Sequence, residues 1–445
     1  EFDKLVGKEG KGGKGGSYTV WRKPYSKKEL NDCLSRIEHV SFGEEISTKG
    51  FAGHNASIRA YSSGYAIGAC VWEIHLKQYL TREGKGFRIG YVPEASSTAT
   101  GHPRPFDIQA LKECDVLIVS RFAEMAYSIG SKLPPPPGEV IVRLCREIDA
   151  ILTRGGRVII PMRPCGVFID VLDFLFKTLS KRQANKDLSK NTQSAWGSEG
   201  KGGTTRPSES IFIDLASQPL ATGLQSCSIA SEWLNANKKM QAIEGTAPFE
   251  FIKSLDAHRT DAAANLTPNT SSKNKVAIRL RYPSYPLDGN VVICGVSWGK
   301  KEGDMDRALS ASKRYFGSKD RPTVIMCEPP STDGLGDAGL GARPRADGFE
   351  VRRNVIETRL RIEETGRLFT KIKPKHLVIP ASILPHTDWK KEAGCPVTAL
   401  PDLPSQPPAI LKFPKEKFGF MRVQMEERLL TKIREAGREH KCISS

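Results

Sequence analysis

Apolar positions along this chain fall into two recurring patterns: short unbroken runs, and longer stretches with a period near 3.6. The run Asp115-Val-Leu-Ile-Val-Ser (115–120) has the length of a strand. Beyond the prolines at 134–137, Val140, Leu144, Ile148 and Ile151 recur at close to helical spacing, which predicts a helix over 139–152. Gly155 and Gly156 stand where such a helix needs its stop. Val158, Ile159 and Ile160 follow without alternation, as in a strand covered on both faces, and 167–179 is again helical. Strand, helix, strand, helix in that order predicts a parallel α/β unit with a right-handed crossover.

The same patterns extend in both directions. Residues 25–37 predict a helix capped by Ser26 after Pro24. Residues 67–76 and 87–92 predict a strand pair turning at 83–86, and the Ser-, Thr- and Pro-rich loop 95–105 leads to the Asp115 strand. Downstream, strands are expected at 210–215, 290–296, 323–327 and 376–379, and helices at 229–238, 303–316 and 360–372. Trp233, Val158 to Ile160 and Val291 to Ile293 are the expected core. Gly7 to Gly16 is a low-complexity basic linker. Polar segments near 181–209 and 260–275 are expected to be mobile insertions, and Pro396 to Pro408 marks a boundary before a basic tail.

Composition changes this picture little. At 445 residues the chain is long enough for two or three domains, and no apolar run approaches the ~20 residues of a membrane helix. The ten cysteines are scattered with no CxxC pair, which favours a reducing compartment. A formal charge of +17 suggests an anionic partner, nucleic acid before membrane. Its spread over the whole chain leaves a merely solvated surface equally open.

Motifs exclude more than they supply. Among eight histidines the smallest separation is His376 to His386, so no H-x-H or H-E-x-x-H exists, nor any Cys–His cluster with ligand spacing. Gly-x-Ser-x-Gly is absent. Gly334-Leu-Gly-Asp-Ala-Gly339 satisfies G-x-G-x-x-G, but Pro329-Pro330 separate it from the preceding strand and no helix pattern follows. A dinucleotide site is therefore rejected.

Several stretches carry a resemblance through their order. They are Trp21-Arg-Lys-Pro-Tyr-Ser with Leu34-Ser-Arg-Ile-Glu, then Ser62-Ser-Gly-Tyr-Ala-Ile-Gly-Ala, then His102-Pro-Arg-Pro with Asp115-Val-Leu-Ile-Val. Gly155-Gly-Arg-Val-Ile-Ile-Pro, Ala230-Ser-Glu-Trp-Leu-Asn-Ala-Asn-Lys, Thr358-Arg-Leu and Lys375-His-Leu-Val-Ile-Pro complete the series. From about residue 20 to about 430 the chain resembles the metallo-β-lactamase/β-CASP family of RNA-processing nucleases. The resemblance implies an α/β protein, part of a metallo-β-lactamase αββα sandwich with an inserted β-CASP α/β domain. It divides the chain into a basic Gly-rich linker (1–17), the C-terminal half of the metallo-β-lactamase domain (18–135), and the β-CASP domain (136–355). That domain would carry insertions near 181–209, 260–275 and 331–348. A return to the first domain (356–410) and the start of a partner-binding region (411–445) follow.

Active members resembling this chain hold two zinc ions. Their H-x-H-x-D-H motif is missing here, and it would precede Glu1 in a chain expected to be a fragment lacking its N-terminus. Tyr65 stands where they place a metal-binding His, Glu94 at a bridging Asp, and Ser120 at the acid ending the Asp115 strand. Glu357 and Ala381 stand at two further histidines. A phenol of pKa ~10 is a poor zinc ligand at neutral pH, Ser120 is uncharged, and Ala381 has no donor atom. Glu94 alone could ligate. Losing the imidazole at 357 also removes a general acid. The resemblance thus implies a pseudoenzyme with no catalytic residue, no metal and no cofactor. It would be a nuclear obligate partner of an active endonuclease paralogue in small nuclear RNA 3′-end processing. Arg359 and Arg361, near the degenerate cleft, are placed either to touch RNA phosphate or to face solvent. Two rivals stay open: an inactive subunit of the cleavage and polyadenylation complex, and an active zinc-dependent RNA endonuclease of the same fold.

Overall fold

The computed structural model describes residues 26–400, apart from 52–53, 81–85, 99–100, 124–134, 164–165, 196–209, 217–223, 225–226, 228–230, 253, 255–275, 281–288, 296–304, 306, 312–321, 328–343 and 346. The expected linker 1–17, the insertion 260–275, most of 331–348, the Gly334–Gly339 motif and the tail 411–445 lie outside the described residues.

Helix α1 (Lys27–Leu34) starts on Ser26, whose side chain accepts from the Glu29 N–H while Glu29 returns the bond, a capping box. Strands β1 (Glu45–Phe51), β2 (His54–Ser62), β3 (Cys70–Leu80) and β4 (Gly86–Val92) form an antiparallel meander, and β5 (Val116–Val119) joins β4 in parallel. Helix α2 (Pro137–Thr153) has Pro at its first position, where a missing N–H costs nothing. Its face of Val140, Leu144, Ile148 and Ile151 is buried as the period predicts. Then come β6 (Val158–Met162), α3 (Phe168–Ala195) and β7 (Ile211–Leu215). Helix α4 (Ala236–Ile243) precedes β8 (Val276–Leu280), β9 (Val291–Gly295), β10 (Thr323–Met326) and β11 (Val351–Arg353). Helix α5 (Ile362–Ile372), β12 (Leu377–Pro380), α6 (Trp389–Ala393) and β13 (Val397–Leu400) close the described chain.

These strands make two sheets, one of seven strands in the order β1-β2-β3-β4-β5-β12-β13 and one of six in the order β11-β10-β6-β9-β7-β8. The expected parallel unit across 115–160 is overturned, because β5 lies in the first sheet and β6 in the second. Two apolar runs flanking a helix look alike whether or not they pair, since pairing is decided by distant strands. The six-stranded sheet is parallel throughout. Val158, Ile160, Val291, Ile293 and Ile325 face a core with α2 and α3. Ile159, Val292, Cys294, Val324 and Met326 face a second core with Met305, Ala308 and Leu309. Both faces are covered, which is why these strands read as unbroken apolar runs.

The seven-stranded sheet has one such core, where Val71, Val92, Leu117, Val119, Leu377 and Ile379 meet α5 and Trp389. Its other face is also apolar. Ile46, Ile58, Ile74 and Ile89 line up across four strands, and Trp72, Tyr91 and Ile118 form a second row. All seven are half-buried and belong to none of the cores among the described residues. A sheet covered by helices on one face and carrying a half-buried apolar second face agrees with half of an αββα sandwich. The two-sheet α/β architecture is that expected from the sequence.

Other expectations change in detail. Strands β1 and β2 were not expected, and the helix expected at 229–238 is instead a 3₁₀ turn, Ser231–Trp233, followed by α4. Trp233 is half-buried rather than core. Helix α3 runs to Ala195, so the part of the expected insertion at 181–195 is helical; Leu179 and Gln183 are buried along it. No helix among the described residues is long and apolar enough to cross a membrane.

Candidate functional site

Strand direction places four of the five singled-out positions on one edge. Strand β3 runs antiparallel to both β2 and β4, so β2 and β4 point the same way; β5 is parallel to β4, and β12 to β5. Tyr65 follows the end of β2, Glu94 the end of β4, Ser120 the end of β5, and Ala381 the end of β12. All four thus lie at the carboxyl ends of their strands, the edge where open α/β sheets carry ligands.

Backbone bonds tie these loops together. The Ser96 N–H donates to Ser63 O at 2.9 Å, Leu360 N–H to Ala95 O at 2.7 Å, Ala123 N–H to Leu360 O at 2.8 Å, and Ser120 N–H to Val92 O at 2.9 Å. The loop holding Glu357 is thereby brought to the same rim. Glycine permits the closest approach: Gly64 has φ +71°, and a Cβ there would lie 2.7 Å from Ser96 O and 2.8 Å from Phe106 N.

What the edge presents is chemically sparse. Glu357 is buried, and Arg359 holds it through Nε to Oε1 at 3.0 Å and Nη2 to Oε2 at 2.7 Å, while the Arg359 N–H donates to Oε1 at 2.8 Å. Arg359, expected near RNA or solvent, is therefore buried in an ion pair instead. Arg361 is half-buried, and its Nη2 donates to Pro135 O at 3.4 Å. Tyr65 is half-buried beside Gly166, whose φ is +63°; a Cβ at Gly166 would meet the Tyr65 ring at 3.8 Å. Ser120 and Ala381 are half-buried. Glu94 is half-buried too, but its Oε1 is fully enclosed and bonded to nothing among the described residues. Among the described residues no group of three or more His, Cys, Asp or Glu side chains could hold a metal ion. Of the five positions, Glu94 alone offers a carboxylate oxygen that nothing among the described residues engages; a two-ion centre needs ligands enough to clamp both the attacking and the leaving oxygen.

The sequence reading missed a second cluster, between the sheets. His102 is fully enclosed; its Nδ1 lies 2.8 Å from Asp170 Oδ2, and its backbone N–H donates to Asp170 Oδ1 at 2.8 Å. One helical turn on, Asp173 Oδ2 accepts from Lys177 and Lys238, each at 3.0 Å. Lys238 also donates to Pro248 O at 2.8 Å and sits 4.0 Å from the Phe249 ring centre. Burial pushes the Cys227 thiol up to about 12, with Lys238 opposing and Asp170 and Asp173 adding to the rise. His102 Nε2 and Asp173 Oδ1 are buried without partners among the described residues. A buried polar atom left unpaired costs about 1–3 kcal/mol. The available signal was two aspartates three apart on an otherwise apolar helix face.

No family profile matches the chain. It is 24% identical over 365 residues to the Integrator complex subunit 9 homolog of Dictyostelium discoideum, covering 81% of this chain and 41% of that protein. Against the homolog of Nematostella vectensis it is 25% identical, covering 85% and 49%, and against Integrator complex subunit 9 of Homo sapiens 23% identical, covering 81% and 45%. The chain thus spans less than half the length of these curated relatives. A solved protein of unknown function from Enterococcus faecalis aligns with a TM-score of 0.39 at 12% identity, over 82% of this chain and 66% of that one, too weakly to bear on the fold. Over four-fifths of its length this chain is similar to Integrator complex subunit 9, as a distant homologue of that subunit.

Proposed function

We propose that this chain is a non-catalytic, nuclease-fold subunit of the nuclear Integrator complex. It pairs there with the active endonuclease paralogue, Integrator complex subunit 11, in small nuclear RNA 3′-end processing. The observation that supports this most is the rim of the seven-stranded sheet. Tyr65, Ser120 and Ala381 offer no anionic or imidazole donor, and Glu357 is held by Arg359. In this reading the six-stranded sheet is the inserted β-CASP domain (136–355), the seven-stranded sheet belongs to the metallo-β-lactamase domain, and Tyr65, Glu94, Ser120, Glu357 and Ala381 are its degenerate ligand positions.

The role that follows is architectural. A subunit that keeps the fold without the metal ligands supplies surface to a catalytic partner and shapes the assembly rather than the bond-breaking step. The test is affinity purification of the tagged, full-length gene product from nuclear extract. The expected result is co-purification of Integrator complex subunit 11 with small nuclear RNA cleavage that depends on that partner. Recovery of polyadenylation factors in its place would overturn the assignment in favour of the cleavage and polyadenylation complex.

A further inference from the structure

We propose that the edge of the seven-stranded sheet opposite the rim is a docking face for the phosphate backbone of a nucleic-acid duplex. It is built from the amino ends of β4, β5 and β12, where Arg88, Asp115 and Lys375 stand, and from the last turn of α5. Backbone bonds gather these segments. The Glu113 N–H donates to Ile372 O at 2.6 Å, the Lys375 N–H to Cys114 O at 3.0 Å, and the Asp115 N–H to Arg88 O at 2.9 Å. Arg88 then pins the loop before β5, its Nη1 donating to Lys112 O at 3.0 Å and its Nη2 to Ala110 O at 3.2 Å. Lys373 closes α5 in the left-handed region, with φ +52°, so the chain turns there and Lys375 comes alongside Cys114. The basic side chains thus start from a fixed backbone.

The charge gathered there is one-sided. Residues 86–90, 110–115 and 366–376 carry six basic side chains, Arg88, Lys112, Arg367, Lys371, Lys373 and Lys375, against two acidic ones, Glu113 and Asp115. Asp115 is buried and engaged, its Oδ1 lying 2.9 Å from Lys375 Nζ and its Oδ2 accepting from the Arg88 N–H at 2.8 Å. The Arg88 guanidinium is itself held by Glu73. Lys112, Arg367, Lys371 and Lys373 are exposed and form no ion pair among the described residues. Arg367 and Lys371 lie one turn apart on the exposed side of α5, and Lys373 and Lys112 flank its carboxyl end.

What the face lacks selects the partner. None of the large apolar side chains exposed elsewhere among the described residues falls in these segments. An acidic protein partner would need apolar anchors at the centre of its interface. Phe87 is half-buried and Phe369 buried, so no ring stands out to stack on bases, as single strands require. Lysine ammonium groups are point charges, which suit phosphate oxygens and read no sequence.

This inference does not depend on the pairing proposed above. Binding of the purified chain to RNA hairpins with two unrelated stem sequences, followed across salt concentrations, tests it. The two should bind equally. The test variant combines Lys112→Gln, Lys371→Gln and Lys373→Asn, since Asn tolerates the left-handed backbone at 373. Its affinity should fall on the order of tenfold or more, and its slope of log K against log salt should shrink by about two to three. A variant with the same charge loss elsewhere, Lys27→Gln, Lys28→Gln and Lys239→Gln, should keep the parent's slope. In the parent, bound duplex should protect Lys112, Lys371 and Lys373 from chemical acetylation, a readout that needs no variant. Equal losses in the two variants, or acetylation unchanged by duplex, would mean diffuse charge only and overturn the proposal. Polyglutamate binding governed by these lysines, with duplex binding left intact, would assign the face to an acidic protein and overturn it as well.

Discussion

The two sheets of this protein are made of similar strands and used differently. In the six-stranded sheet alternate residues of β6, β9 and β10 enter two separate cores, so each strand is buried on both sides. In the seven-stranded sheet one face is packed under α5 and Trp389 while Ile46, Ile58, Ile74 and Ile89 stay half-buried on the other. Four of the five positions singled out by the resemblance end strands or their turns on this second sheet, and Glu357 is tied to the same rim. The central strands of the first sheet are enclosed, whereas the second sheet keeps a half-buried apolar face and an edge where several loops meet. The contrast teaches that the two sheets differ in how their faces are covered, and that at the rim of the second one Glu357 is engaged by Arg359.

The largest expected effect concerns that rim. Glu357→Ala leaves the Arg359 guanidinium buried without its carboxylate and should destabilise the chain by about 3–5 kcal/mol in denaturant unfolding. Replacing both, as Glu357→Leu with Arg359→Met, should recover most of the loss, since an apolar pair avoids the uncompensated charge. A neutral single variant would mean that the pair is not buried as described.

Next comes the contrast between the sheets themselves. Ile293→Ala, in a strand enclosed on both faces, should cost about 2–5 kcal/mol. Ile74→Ala, on the half-buried face, should cost about 1 kcal/mol or less in the same chain. Equal losses would show that the second face is covered after all and would erase the comparison.

A smaller effect is set by pH. Burial lowers the pKa of His376, whose Nε2 lies 2.8 Å from Thr398 Oγ1. Because the folded pKa lies below the unfolded value near 6.5, protonation favours the unfolded chain. The contribution is therefore present above that value and is lost as pH falls through the folded pKa. Unfolding midpoints between about pH 7.5 and 5.5 should drop less in His376→Gln than in the parent; identical slopes would remove His376 as a cause.

Much of the layered core was legible, and the reasons are local. Val140, Leu144, Ile148 and Ile151 repeat at helical spacing between Pro137 and Gly155, and Val158 to Met162 is an unbroken apolar run. Strands β1 and β2 were not legible, because Glu45-Ile-Ser-Thr-Lys-Gly-Phe and His54-Asn-Ala-Ser-Ile-Arg-Ala-Tyr-Ser mix small and polar residues as near-edge strands do. Sheet membership was misread for β5 and β6 because pairing is decided by distant partners, β12 and β9 among them. The rim positions could be named from motif order, but Arg359 closing on Glu357 could not. The cluster between the sheets was hidden for the same reason: His102 and Asp170 are 68 residues apart, and neither carries a spacing that announces the other.

The central claim is that this rim does not carry a catalytic pair of metal ions. Zinc content by mass spectrometry on the purified chain, together with endonuclease assay on RNA before and after chelation, tests it most directly. The account predicts no tightly held pair of zinc ions and no cleavage attributable to the chain. Two zinc ions per chain, with cleavage abolished by chelator and restored by zinc, would contradict it.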